Sequence, residues 1–419
     1  MDEQKPLENE QGEPGEKTEK SEYSFMQETI KDENSRGKKC RKDLLRMAGL
    51  GVVFGVCACI SFSALKPWLD KKFPGDSQEV VIPKEKEEDN TEEKKADTSN
   101  NTEQTLDIDN YRELQKAMND VATEAGKSVV EIIGVSGEQD WTDESYDNKN
   151  SVSGLIIADN GQELLVYGKT SILKDAKEIH IRFSDGNTEQ ASVKKKDESL
   201  GFAIYAVSGS SIEQSTWTQI STAKLGSSNS VQKGDAVAVL GKPFGYAGAV
   251  GFGTIANSRN ELDADDGSYQ LLCTDIGAAE DGTGVIVNLS GEVVGIIDQS
   301  ISDNSSKRLV TGYGISGLKS EIELLSNGQA VPYVGIRGLD VTAEIEAQGI
   351  PNGVYVQTVE PDSPAMAAGI QSGDIIWQVS GESVSSMSSY EKAVLEEKSD
   401  AVIRVKGKRK GADGYVDLD

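Results

Sequence analysis

The chain contains few histidines and cysteines, the residues on which zinc sites and imidazole-based catalysis depend. Its 419 residues include one histidine and four cysteines, and 6% of the side chains are aromatic. A hydroxyl nucleophile needs a base beside it, most often a neutral imidazole, and only His180 can supply one. No C-x-x-C or H-E-x-x-H spacing occurs, which excludes the common zinc motifs. We therefore expect no metal and no cofactor.

The single histidine lies in a segment that alternates apolar and polar residues. In KEIHIRFSDG, Ile179, Ile181 and Phe183 fall on one face, whereas His180 and Arg182 fall on the other. A period of two is typical of a half-buried strand. A solvent-facing position is the simpler interpretation of His180, because a catalytic base needs a specific geometry before it needs a suitable pKa.

Positive charge is also scarce. The chain has 43 basic and 70 acidic residues, a formal net charge of -27. A surface that contacts phosphates must be basic, so we exclude nucleic acid as a partner. Much of the acidity lies in residues 1–35 and 85–104, whose few apolar side chains cannot offset chain entropy. We expect both segments to be disordered.

One long uncharged run interrupts this polar composition. Residues 47–65 read MAGLGVVFGVCACISFSAL, long enough for a helix to cross a hydrocarbon core of about 30 Å. Six basic residues lie between 36 and 46 and three between 66 and 72, which predicts a cytoplasmic N-terminus. A cleaved signal peptide is the alternative, but the leader is long and no small-residue cleavage site clearly follows. Only Cys273 lies beyond this run, so the exported part cannot form an intrachain disulfide.

The exported part divides by composition into a linker and two folded regions. Residues 66–107 are polar and predict an extended spacer. Tyr111, Leu114, Met118 and Val121 then recur at helical spacing. From there to about residue 325, short strand-like runs alternate with glycine and polar turns, which favours an all-β barrel or sandwich.

The order of these runs resembles the HtrA-type (Deg) trypsin-like serine proteases. The similar segments are SVVEI, SGLIIADNG, IRFSDG, VQKGDAVAVLGKPFG and GYGISGLKSEIELL, and they follow the family order from about residue 127 to 325. GKPFG is similar to the family's GNPFG turn. The resemblance implies a mostly β fold with a trypsin-like double β-barrel over residues 108–327.

The same resemblance allows the three catalytic positions to be read one by one. The family's histidine segment matches residues 168–176 and places Ser171 at the histidine. The aspartate segment matches residues 200–207 and places Gly201 at the aspartate. The nucleophile block GNSGG matches residues 280–284 and places Gly282 at the serine. We therefore expect a degenerate triad with no catalytic residue, because a scaffold without a nucleophile cannot acylate.

A rewired nucleophile is the alternative at this site. Thr283 stands beside the lost serine, and Lys169 or Lys174 could act as its base if desolvated. The simpler interpretation of Thr283 is a packed turn residue.

Residues 331–410 resemble a PDZ domain, a β-rich α+β fold. EPDSPAMAAGIQSGDIIWQV combines a turn, a short helix ended by glycine and a new strand. In that family a loop like YVGI captures a peptide carboxylate while the peptide joins the sheet edge. A helix over 389–398 would form the other wall, although Ile336 and Val394 fit a core role equally well. The candidate peptide-binding residues are Tyr333, Val334, Gly335, Ile336, Ala393 and Val394.

Together these segments predict one membrane protein with exported domains. We expect a cytoplasmic tail over 1–46, a single transmembrane helix over 47–65, the linker and two domains outside the cell membrane, and a tail over 411–419. The resemblance implies a pseudoprotease that binds peptides or unfolded segments through its PDZ domain, as a scaffold or sensor in envelope protein quality control. An active HtrA-type serine endopeptidase is the alternative, and a structural homotrimer is the third, since the family commonly forms trimers.

Overall fold

The computed structural model describes residues 78–84, 108–136, 150–302 and 308–418. Within these ranges no helix is both long and apolar enough to span a membrane. The predicted transmembrane segment, residues 47–65, lies outside the described residues. The two segments predicted to be disordered lie outside them as well.

The first six strands form a closed antiparallel barrel. They are β1 (Val129–Val135), β2 (Ser151–Asp159), β3 (Glu163–Lys169), β4 (Glu178–Arg182), β5 (Thr188–Asp197) and β6 (Phe202–Ser208). Their order is β1-β2-β3-β6-β5-β4, and β4 pairs with β1 to close the sheet. Ile132, Val166 and Ile181 are buried inside it, since β-branched side chains pack well on the inner face of strands. A 3-10 helix, Ser171–Lys174, connects β3 to β4.

The next six strands form a second closed barrel. They are β7 (Ala236–Lys242), β8 (Ala249–Ala264), β9 (Gly267–Gly277), β10 (Thr283–Asn288), β11 (Val293–Asp298) and β12 (Leu309–Gly314). The order is β10-β11-β12-β9-β8-β7, and β7 closes on β10. Strands β8 and β9 form a long hairpin that pairs Ala264 with Gly267. Its turn therefore consists of two residues, Asp265 and Asp266.

An aromatic cluster joins the two barrels. The Tyr167 ring stacks on Phe202 with centroids 4.9 Å apart, and Tyr313 meets Phe202 edge-on at 5.7 Å. Tyr269 meets Tyr313 edge-on at 5.9 Å. The Tyr167 hydroxyl donates to the buried Glu321 at 3.3 Å. Because these side chains come from both barrels, their packing holds the barrels in one orientation.

Within the described ranges, three α-helices accompany the barrels, namely α1 (Ile108–Gly126), α2 (Gln214–Trp217) and α3 (Ile315–Ser326). Helix α3 buries Ile315, Leu318, Ile322 and Leu325, the spacing of one helical face. Helix α1 forms where helical spacing predicts it, but its apolar stripe is only partly covered. Tyr111 is 64% exposed.

Residues 78–84 pack on the barrels, although the sequence predicts an extended linker there. The Asn327 side chain accepts the N–H of Val80 at 2.9 Å and donates to its carbonyl at 2.8 Å. Ile82 is buried in the core between the barrels. The surrounding segment is polar, so its composition does not predict that this short apolar stretch packs on the barrels.

A third sheet forms the C-terminal domain. Its strands are β13 (Ile336–Asp340), β14 (Val354–Val359), β15 (Ile375–Val379), β16 (Glu382–Ser383), β17 (Val405–Gly411) and β18 (Gly414–Leu418), and its helices are α4 (Ala343–Glu346), α5 (Pro364–Ala368) and α6 (Met387–Leu395). The order is β13-β14-β15-β17-β18, with β16 beside β15. A capping box between Ser386 and Ser389 starts α6 at Met387, so this helix begins and ends earlier than the predicted 389–398.

The C-terminal domain also extends beyond its predicted end. Instead of a tail over 411–419, the chain turns between Gly411 and Gly414 and returns as the edge strand β18. The Arg409 guanidinium forms a bidentate ion pair with the Asp374 carboxylate, with both N–O distances at 2.7 Å. An edge strand buries little, so the apolar pattern of residues 414–418 is weak in the sequence.

We predict that Arg409→Ala lowers the free energy of unfolding, because hydrogen bonds between charged groups stabilise a fold more than neutral ones do. The variant leaves Asp374, which is 1% exposed, without its cation. Urea unfolding followed by circular dichroism measures the change. Lys410→Ala, at the exposed neighbouring position, is the control, and an equal loss there would contradict the prediction.

Candidate functional site

A cavity of 520 Å³ lies where residues of the two barrels meet. Ser171, Gly201 and Gly282, the three positions that the sequence assigns to the triad, all line it. Lys169 and Asp298 line it as well. The fold therefore brings together residues that are more than 100 positions apart.

Gly282 has no room for a side chain. A Cβ atom there would lie 2.7 Å from the Pro243 carbonyl oxygen and 3.1 Å from that of Ala279. Its N–H donates to the Ala279 carbonyl at 3.1 Å. In trypsin-like enzymes the backbone N–H of the nucleophile residue is part of the oxyanion hole. The N–H of Gly282 is instead hydrogen-bonded to Ala279 within a turn.

The other two predicted positions also lack acid–base groups. Gly201 has a φ of +73°, a left-handed conformation that residues with a Cβ rarely adopt. Its carbonyl accepts the Thr170 hydroxyl at 3.1 Å. Ser171 is exposed at the start of the 3-10 helix. Two of these three positions are glycine and the third is serine, so no residue at them can accept a proton as a histidine would.

Two charged residues that line the cavity, Lys169 and Asp298, form an ion pair. The Lys169 Nζ lies 2.5 Å from the Asp298 carboxylate, and their side chains are 15% and 3% exposed. The same ammonium lies 4.9 Å from the centre of the Phe202 ring. The Asp298 carboxylate also accepts the N–H of Ser300 at 3.0 Å. Lys169, a candidate base in the sequence, is thus bound to a carboxylate, and its pairing joins β3 to β11.

Among Thr283, Lys174 and His180, only Thr283 lines the cavity. Thr283 is buried at the start of β10, and its Oγ1 accepts the N–H of Ser153 at 2.9 Å. Lys174 is exposed and does not line the cavity. His180, the only histidine in the sequence, lies on β4 with its Nε2 3.4 Å from the Glu178 carboxylate. Its side chain is 23% exposed, and it does not line the cavity.

The C-terminal domain carries the second candidate site, at the loop that precedes β13. Its consecutive N–H groups from Val334, Gly335 and Ile336 donate to the carboxylate of Asp266 at 2.7, 2.7 and 3.2 Å. Asp266 is 8% exposed and belongs to the turn of the β8–β9 hairpin. Burial raises the pKa of its carboxyl group, and the three backbone donors oppose that shift. The predicted carboxylate-binding loop therefore holds a carboxylate of the chain itself.

The other predicted peptide-binding residues differ in exposure. Val334, Ile336, Ala393 and Val394 are buried in the core of the C-terminal domain, whereas Tyr333 is 42% exposed. The sequence does not identify Asp266 or Tyr390 as part of this site. The run Asp265-Asp266-Gly267 is a turn signal, but nothing local in it predicts where the turn docks.

Glu391 on helix α6 is a second acid near this contact whose pKa is shifted. Burial raises its pKa to about 8, although hydrogen bonds from the Tyr269 side chain and the Ser268 backbone lower it. The charge of Asp266 raises it further. The charge of Glu391 in turn raises the pKa of the buried Glu321. At neutral pH the raised pKa favours the protonated form of Glu391.

Comparison with known proteins agrees with both domains. A trypsin-like peptidase domain matches residues 152–296, and a PDZ domain matches residues 332–419. The serine protease Do-like HtrA of Lactobacillus helveticus is 25% identical over 285 residues, which cover 62% of this chain and 66% of that protein. HtrB of Bacillus subtilis (strain 168) is 25% identical over 284 residues, covering 62% and 60%. The chain thus spans less than two thirds of the length of these relatives.

Among solved structures, the HtrA-type protease AlgW with a tripeptide has a TM-score of 0.50 and 17% sequence identity. The match covers 72% of this chain and 95% of that chain. At this identity the likeness concerns the fold alone. The two barrels and the third sheet are a trypsin-like peptidase domain followed by a PDZ domain, which confirms the predicted fold class. The chain is similar to the HtrA proteases in both domains and in their order.

We predict that Gly282→Ser destabilises the protein by about 1–3 kcal/mol, the usual cost of overpacking. The added Cβ must displace the Pro243 carbonyl. Urea unfolding of the full chain measures the loss. Gly126→Ser is the matched control, because no atom lies within 4 Å of its Cβ. A Gly282→Ser protein as stable as the wild type would contradict the steric argument.

We predict that stability decreases as the pH rises from about 5 to 9, with Glu391 as one contributor. Its pKa is about 8 in the folded chain against 4.5 for an unperturbed glutamate. The folded state therefore binds more protons in this window, and the contribution of Glu391 is lost as the pH rises through 8. Glu391→Gln should reduce the slope by up to about one proton per molecule, measured by urea unfolding across the range. An unchanged slope would refute this assignment.

Proposed function

We propose that this protein is a membrane-anchored pseudoprotease that binds exported polypeptides through its PDZ domain. In this proposal the trypsin-like domain is a scaffold, and residues 47–65 anchor the chain with both domains outside the cell membrane. The ligands are peptide C-termini or exposed unfolded segments. The role is that of a scaffold or sensor in envelope protein quality control, with a homotrimer as a candidate assembly.

The geometry at Gly282 carries the proposal. The position assigned to the nucleophile has neither a hydroxyl nor space for a Cβ, and its N–H is bonded to Ala279. Acyl transfer needs a nucleophile, a base and oxyanion donors aimed at the substrate. The Lys169–Asp298 pair lines the same cavity, and its two charges are paired with each other. These features support binding rather than cleavage.

PDZ recognition supplies the binding function in this proposal. Consecutive backbone N–H groups at the start of β13 point to one carboxylate, the geometry that captures a peptide C-terminus. One neighbour of similar fold is described with a bound tripeptide. Active proteolysis is the competing function, because the similar proteins from Lactobacillus helveticus and Bacillus subtilis are named serine proteases.

We predict that the full-length chain, purified in detergent, does not cleave casein above the rate of a blank without enzyme. Gel electrophoresis of fluorescent casein measures the fragments, with an active trypsin-type protease as the positive control. Cleavage that a serine-reactive phosphonate blocks would refute the pseudoprotease proposal. Cleavage that disappears in Thr283→Val would instead identify a rewired threonine nucleophile.

A further inference from the structure

The hairpin turn at Asp265 and Asp266 occupies the peptide groove of the PDZ domain. We propose that Asp266 is an internal ligand of this domain and that its docking closes the groove to peptide C-termini. The inference rests on the peptide binding of the proposed function and assigns its regulation. An incoming C-terminus must displace the side chain of Asp266 to reach the loop amides.

The contact reproduces both parts of peptide recognition by such a groove. The Asp266 side chain takes the N–H groups of the loop, as a terminal carboxylate would. Its own N–H donates to the carbonyl of Ile336 at 2.7 Å. A peptide that joins the sheet edge would use the same carbonyl for its first strand-type hydrogen bond. One residue of the hairpin therefore fills the carboxylate subsite and the first backbone position together.

Both walls of the groove contact the turn. From helix α6, the Tyr390 hydroxyl donates to Asp266 Oδ1 at 2.9 Å. From strand β13, Arg337 Nε lies 2.7 Å from the carboxylate of Asp265. Arg337 also lies 3.4 Å from Glu360. The turn is thus held between the strand and the helix, where a peptide would lie.

The burial and backbone of Asp266 indicate a specific contact. Burying a carboxylate is costly unless hydrogen bonds replace its water, and the four donors to Asp266 all come from the PDZ domain. Its φ of 60° is left-handed, a conformation that aspartate and asparagine adopt more readily than most residues. The turn therefore presents its carboxylate at little backbone cost.

Competition between Asp266 and a peptide reduces the apparent affinity of the groove. A site that is open in only a fraction of molecules binds with its intrinsic dissociation constant divided by that fraction. Removing the internal carboxylate should therefore tighten binding of peptides with a free C-terminus. It should not create binding of peptides whose C-terminus is amidated, because these lack the second carboxylate oxygen.

The test compares the full-length wild type with Asp266→Asn by fluorescence polarisation in detergent. The probes are a fluorescein-labelled pool of octapeptides that end in valine with a free carboxylate, and the same pool amidated. Asparagine keeps the left-handed turn and removes the charge. We expect Asp266→Asn to bind the free-carboxylate pool about tenfold tighter or more. Glu261→Gln removes one charge from an exposed position of the same hairpin and should bind as the wild type does.

The outcomes separate this proposal from the proposed function. Equal binding by wild type and Asp266→Asn overturns the internal ligand and leaves PDZ recognition intact. No binding by either protein overturns peptide recognition, and the regulatory proposal with it. Tighter binding of the amidated pool would show that the variant exposes a different surface, which also overturns the proposal.

Two further measurements guard against a misfolded variant. Tyr390→Phe removes one donor to Asp266 without altering the hairpin, and it should tighten binding by a smaller factor, about threefold. Amide hydrogen exchange at Val334, Gly335 and Ile336 should be faster in Asp266→Asn than in the wild type, while the cores of the barrels stay protected. Unchanged exchange at these three amides would overturn the proposal.

Discussion

A single buried carboxylate, that of Asp266, joins the PDZ domain to the second barrel through four hydrogen bonds. Asp266 would be costly to bury without partners, and its partners are the loop amides before β13 and the hydroxyl of Tyr390. The loop, helix α6 and the β8–β9 hairpin must therefore stay together for the charge to be satisfied. Arg337 reinforces the contact through Asp265. Hydrogen bonds of Glu391 with the Tyr269 side chain and the Ser268 backbone add a second contact between the same two domains.

The hairpin also connects the two candidate sites along one strand. Strand β9 begins at Gly267, directly after the docked turn, and ends at Gly277, shortly before the loop that contains Gly282. Eleven residues at about 3.4 Å each span roughly 35 Å. Leu272 is buried in the core of the second barrel and Leu271 in the core shared by both barrels. The groove and the cavity are therefore built on opposite ends of a strand that is packed on both faces.

Two polar groups that line the cavity between the barrels are hydrogen-bonded within the protein. A hydrolase keeps donors and a base aimed at the place where the substrate reacts. Here the N–H of Gly282 is bonded to Ala279, and the ammonium of Lys169 is bonded to Asp298. The ion pair joins the two barrels, and the aromatic cluster around Phe202 packs beside it. The residues that line the cavity thus also hold the two barrels together.

The sequence by itself determined the fold class, the order of the domains and three positions, Ser171, Gly201 and Gly282, that line the cavity. Strand alternation, turn residues and motif order are local properties, so they survive without tertiary context. Only the tertiary structure decided that residues 78–84 pack on the barrels, that β18 completes the third sheet, and that Asp266 enters the groove. The hydrogen bonds of Asp266 join residues 68 to 124 positions apart. No periodicity within a segment encodes a contact at such a separation, because it depends on how two complete domains place their surfaces.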